Sequence, residues 1–146
     1  MPESLFEDIV VPVASKEDAA ETAMELTPYV GNTDSVTAVY VVEKAGGAPD
    51  KASVEQKEEY AEEIFGVFER EFADAGVESL VETQTLYGTD VAKAIFDYAL
   101  ESGASAVVFV PRSSGSLIRL LTGDVAHSLI TENDIPVVVL PSDENG

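Results

Sequence analysis

Five short apolar runs alternate with four segments of helical period, and this alternation limits the possible folds more than any other feature. LFEDIVVPV, SVTAVYVVE, VESLVETQTLY, SAVVFV and IPVVVLP read as strands. After the first, Ser15-Lys16-Glu17-Asp18 has the pattern of a capping box. Ala19, Ala23, Leu26 and Val30 then recur on one helical face, up to Gly31-Asn32. After the second strand and the loop KAGGAPDKA, Ser53 with Gln56 is expected to cap a helix that Gly76 closes. Its inner face carries Val54, Ala61, Ile64, Phe65, Phe68 and Phe72. Gly88-Thr89-Asp90 opens a third helix, with Val91, Ile95 and Tyr98 inward and Gly103 at its end. VAHSLITEN is the body of a fourth.

Short connections in this order predict an α/β fold: a single, doubly wound, five-stranded parallel sheet with helices on both faces. Right-handed crossovers favour the strand order 3-2-1-4-5. A ligand crevice is then expected at the switch point, between the loop after Val13 and the loop after Val110. The third strand and IPVVVLP fall at the sheet edges. One domain is expected over residues 1–141, with SDENG, 142–146, as a flexible tail.

Charge narrows the function classes. The chain has 28 Asp+Glu against 8 Lys+Arg, a formal net charge of -20. The acids spread from Glu3 to Glu144, so they are not one tail, and 45% of the residues are hydrophobic, too many for a disordered chain. The expectation is a folded protein with an acidic surface throughout, relieved of self-repulsion by salt, as in the cytoplasm of a salt-accumulating halophile, archaeal by this reading. No basic stripe exists to displace counterions, which argues against nucleic acid. No apolar stretch is long enough for a membrane helix, and MPESLFEDIV has no secretory h-region. Cysteine is absent, so disulfides and thiolate metal sites are excluded.

The residues that could carry chemistry lie in VPRSSGSLIRLLTGD, Val110 to Asp124. Two glycines, three serines and two arginines follow a buried strand and lead into a helix, where an open α/β protein holds phosphate.

The chain resembles the universal stress proteins, the UspA-type α/β domains, over nearly its whole length. DIVVPVASKEDA is similar to the family's opening strand, proline, turn and helix. Tyr87-Gly88-Thr89-Asp90-Val91 with AIFDYALESGASAVVFV resembles its Gly-Asp-Pro turn, helix and fourth strand. LIRLLTGDVAHSLITENDIPVVVLP resembles its last helix and strand. The resemblance implies the adenine-nucleotide α-hydrolase-like fold, and a homodimer through the last strand, 136–141. Nucleotide-binding members space three glycines before a Ser or Thr. Counted back from Gly123, those positions here are Val110 and Ser113, and the hydroxyl position is Asp124, so only Gly123 matches. A gapped alignment brings in Pro111, Ser114 or Gly115 but spoils the spacing. Those members also carry an aspartate two residues after the first-strand proline, and here Pro12 is followed by Val13 and Ala14.

Physics weighs the same way. Val110 and Pro111 cannot give the close backbone approach of glycine, and proline has no amide to donate. Asp124 reads as a helix cap that would occupy the amides a phosphate needs and add charge repulsion. Against this, Ser113, Ser114, Gly115 and Ser116 keep hydroxyls and amides, and Arg112 and Arg119 either meet a phosphate or pair with carboxylates. His127, the only histidine, has no second ligand for a transition metal, and a catalytic pairing would need an orienting acid that spacing cannot show. The acidic helix EQKEEYAEEIFGVFERE reads as a solvated face, with at most unspecific Mg²⁺ or K⁺ association.

The expectation is therefore a stress-response interaction or regulatory module, not an enzyme, with no cofactor and an unidentified protein partner. The vestigial crevice comprises Pro12, Ala14, Val42, Pro111, Arg112, Ser113, Ser114, Gly115, Gly123 and Asp124. The alternative is an adenine-nucleotide module using loop 110–124, with ATP or AMP and Mg as ligand.

Overall fold

The computed structural model describes residues 7–31, 33–43, 51–110 and 135–140. Its strands are β1 (Asp8–Pro12), β2 (Ser35–Glu43), β3 (Val81–Gly88), β4 (Ala106–Phe109) and β5 (Val137–Val139). Its helices are α1 (Lys16–Leu26), α2 (Lys51–Asp74) and α3 (Val91–Ser102), with 3-10 turns at Thr27–Tyr29 and Glu78–Leu80. The strands form one sheet of order 3-2-1-4-5, and every pairing is parallel. This is the doubly wound α/β fold expected from the alternation. The fourth expected helix and the tail lie outside the described residues.

Alternation along β1 divides the core in two. Ile9 and Val11 point to one face, where α1 and α2 cover them with Ala19, Ala23, Leu26, Ala61, Ile64, Phe68 and Phe72. Val10 points to the other, against Ile95, Phe96 and Ala99 of α3 and Val107 and Phe109 of β4. A strand buried on both faces needs apolar residues at successive positions, as DIVVP and AVVF have. On the first face the Phe68 and Phe72 rings stack at 4.9 Å. Tyr40 of β2 meets Tyr60 of α2 edge-on at 6.1 Å.

Helix ends follow local chemistry. Asp90 caps α3, accepting the Lys93 amide at 3.1 Å. Gly76 and Gly103 close α2 and α3 at φ 81 and 76, where a side chain would be strained. After Gly76, the Val77 amide returns to Phe72 O at 2.9 Å, and the Gly76 amide to Ala73 O. This double bond pattern satisfies the carbonyls of the last turn.

Two helix boundaries differ from the sequence reading, and VESLVETQTLY, read as one strand, begins with the 3-10 turn Glu78–Leu80 before β3 starts at Val81. The apolar period runs through Val30 to Gly31-Asn32, yet α1 stops at Leu26 and a 3-10 turn follows. Pro28 has no amide to give Met24 O, and the Thr27 hydroxyl donates to that carbonyl instead, at 3.3 Å. Val30 is still fully buried, so the period reported the core and not the helix. The second difference is at α2, which begins at Lys51. Ser53 therefore lies inside the first turn and is not its cap; Lys51 and Ala52 are good enough helix formers to extend it.

Gly66 sits within α2 with nothing within 4 Å of where a Cβ would lie. Gly66→Ala is expected to stabilise the fold by about 0.5–1 kcal/mol, because the unfolded chain loses freedom it need not surrender on folding. Denaturant unfolding checks this; a lower midpoint would mean the space beside α2 is filled.

Candidate functional site

The carboxyl ends of β1 and β4 lie side by side, with β2 and β5 beyond them. Strand order reverses here, and it is at such a point that open α/β sheets form a ligand crevice. Ile9 pairs with Ala106 and Val10 with Val107, so the chain leaves β1 at Pro12 and β4 at Phe109 on the same edge. Pro12 is in register with Val39 of β2, and the Val13 amide extends the ladder by donating to Val39 O at 2.9 Å.

Of the residues expected to form the crevice, the structure places Pro12, Ala14 and Val42. Pro12 is buried and Ala14 half-buried at the β1 exit. Val42 is 1% exposed, on β2 three residues beyond the partner of Pro12. It is core at the crevice end of the sheet. Val110 follows β4 and is also buried. Pro111, Arg112, Ser113, Ser114, Gly115, Gly123 and Asp124 lie outside the described residues, as do Arg119 and His127.

The first turn holds a residue that sequence reading assigned only to a cap. Ser15 caps α1 as expected, accepting the Asp18 amide at 3.0 Å. A capping box would return the Asp18 carboxylate to the Ser15 amide. Instead Asp18 Oδ2 accepts the Ala14 amide at 2.8 Å, and Oδ1 accepts the Thr22 hydroxyl at 3.3 Å. Asp18 is 6% exposed and Thr22 1%. A carboxylate enters a core only with such partners. The available signal was the pair Asp18 and Thr22, four residues apart on the face that also carries Ala19 and Ala23.

The rest of the described rim is polar and acidic. Lys16 pairs with Glu63 at 3.3 Å, joining α1 to α2 through two exposed side chains. The Tyr87 hydroxyl, at the end of β3, donates to the Glu58 carboxylate of α2. That hydrogen bond, more than burial, raises the Tyr87 phenol above its ordinary range and keeps its proton in place. Among the described residues no group of three or more His, Cys, Asp or Glu is arranged to hold a metal ion. No helix is long and apolar enough to cross a membrane among them.

The model of the universal stress protein family matches residues 5–141. This chain belongs to the universal stress protein family. Solved structures agree on the fold. A family member from Burkholderia pseudomallei superposes with a TM-score of 0.68 at 21% identity, covering 97% of this chain and 100% of its own. The universal stress protein from Archaeoglobus fulgidus in complex with dAMP gives 0.60 at 23% identity, covering 94% and 99%. A universal stress protein in complex with cAMP gives 0.58 at 16% identity, covering 96% and 100%. A search of curated protein sequences found no match.

Proposed function

We propose that this universal stress protein acts by associating with other proteins, and that it neither binds ATP firmly nor catalyses a reaction. One observation carries this reading: the phosphate loop has Val110 and Ser113 where two glycines are needed and Asp124 where a hydroxyl is needed. Side chains at the glycine positions hold the backbone away from a phosphate. An aspartate at the hydroxyl position brings charge repulsion in place of a donor. The β1 turn supports the reading, because Ala14 offers no polar side chain and its amide already donates to Asp18.

Association is supported by the sheet edge. β5 pairs only with β4 among the described strands, and its residues 137–139 are all valine. An apolar edge needs cover, and a twofold copy pairing through residues 136–141 supplies it, with Pro136 and Pro141 limiting further addition. The acidic surface fits a cytoplasm rich in salt.

A second reading has support from two solved relatives, which hold dAMP and cAMP. In it, Arg112 and the serines of loop 110–124 take an adenylate, ATP or AMP with Mg. Acid extraction of the purified protein separates the two. The first reading expects well under one adenylate per ten protomers by chromatography. Near-stoichiometric adenylate would overturn it.

A further inference from the structure

We infer that the outer edge of β3 takes an extended, basic peptide segment of a partner protein as an added strand. The inference deepens the proposal that this protein acts by association, on which it rests, and it concerns the sheet edge opposite β5. β3 ends the five-stranded sheet and pairs with β2 alone among the described strands. Its eight residues run in unbroken one-to-one register with β2, from Val36↔Val81 to Glu43↔Gly88. A regular edge strand of that length turns the amides and carbonyls of about every second residue outward, where another strand can bond them. Edge strands are commonly blunted by lysine, by proline or by a bulge. The run VETQTLY, 81–87, has none of the three. β5 differs, being three residues long and preceded by Pro136. Gln84 Nε2 reaches Thr85 O at 3.3 Å, so that carbonyl is open to a donor outside the ladder with β2.

Charge chooses the occupant. Glu82 is the single charged residue of β3, and it is exposed and outside both ion pairs among the described residues. Burial, and after it the Glu82 charge, raises the Tyr98 phenol above its ordinary range, which sets that ring near Glu82 on the α3 side of the strand. Tyr98 and Leu86 are half-buried there, packed against the cluster that α3 forms with the sheet. An added strand lays alternate side chains on that face. A lysine or arginine beside Glu82 and an apolar residue beside Leu86 then meet matching chemistry. A second copy of this chain is disfavoured as occupant, because it brings a formal net charge of -20 to an edge guarded by a carboxylate.

A fluorescent peptide of alternating lysine and valine tests this by anisotropy, in the lowest KCl concentration at which the wild type stays folded. Saturable binding is expected, with amide hydrogen exchange slowed in β3 when the peptide binds. The same peptide N-methylated along its backbone keeps its charge and loses its donors, so it should bind at least about tenfold more weakly. Glu82→Lys should weaken binding of the unmethylated peptide by a similar factor. Glu59→Lys on α2 changes the net charge equally and should bind as wild type does. The two peptides on wild type still decide the matter if a variant does not fold.

Equal binding of the N-methylated peptide overturns the inference, and so does no binding of the unmethylated one. An equal loss in Glu59→Lys also overturns it, by making net charge the cause, as does exchange slowed elsewhere than in β3. Protection of β3 that rises with protein concentration in the absence of peptide would assign the edge to a second copy and overturn it as well. Adenylate retained on the purified protein contradicts the proposed function instead, since the edge is judged on the comparison of the two peptides.

Discussion

Phe68→Ala should lower the unfolding midpoint by roughly 10 °C, the consequence of removing about 3–5 kcal/mol from a domain of this size. Phe68 is fully buried on α2 and stacks on Phe72 at 4.9 Å. Its cluster joins α1, α2 and one face of the sheet, including Ile9 and Val11 of the central strand. Neighbours held by three elements cannot all relax into the hole, so the lost contacts add to the lost burial. A loss of that size is a large part of the 5–15 kcal/mol typical of a whole domain. Phe68→Leu keeps most of the volume and should lose less than half as much. Thermal and denaturant unfolding of both variants check the packing. Near-equal, small losses would mean that α2 does not seal this face.

The second large effect is of salt. Raising KCl from about 0.1 M to about 2 M should raise the wild-type midpoint by many degrees, because the screening length falls from about 10 Å to below 3 Å. The repulsion it relieves is visible on the helices. Glu17, Glu21 and Glu25 follow one another at four-residue spacing on α1, as do Glu55, Glu59 and Glu63 on α2. Each like-charge pair of this kind costs about 0.2–0.5 kcal/mol at low salt, less where a partner offsets it, as Lys16 does at Glu63. Neutralising one member, as in Glu59→Gln, should raise the midpoint in low salt and leave it nearly unchanged in high salt. A midpoint independent of KCl would show that the net charge of -20 does not strain the fold.

The fold was legible because every level of the sequence agreed on it. SVTAVYVVE became β2 with those bounds, Ser15 and Asp90 became caps, and Gly76 and Gly103 became helix ends. Each of these signals is local, so a single reading suffices. The end of α1 departs from the apolar period because burial and helicity have different causes: Val30 is held in the core by the chain's path, whatever its backbone conformation. Ser53 was misjudged because a capping residue caps only where a helix starts, and α2 starts at Lys51. Asp18 shows a third limit. Its place in a capping pattern was clear, but its carboxylate bonds one residue earlier than the pattern requires, and only the path of the β1 turn decides that. Pro12, Ala14 and Val42 gather at the crevice end of the sheet, but the polar group there comes from the helix. Loop 110–124 was read from the spacing of its residues and not from a period, and beyond Val110 it lies outside the described residues.

The most direct measurement is thermal unfolding in about 2 M KCl, where the fold is screened, with and without millimolar ATP and Mg²⁺. A ligand at one hundred times its dissociation constant adds about 2.7 kcal/mol, which would move the midpoint by roughly 5–10 °C. The proposed absence of firm ATP binding predicts no shift beyond that of Mg²⁺ alone. A clear shift with ATP would contradict the account and assign the phosphate to Arg112 and the serines of loop 110–124.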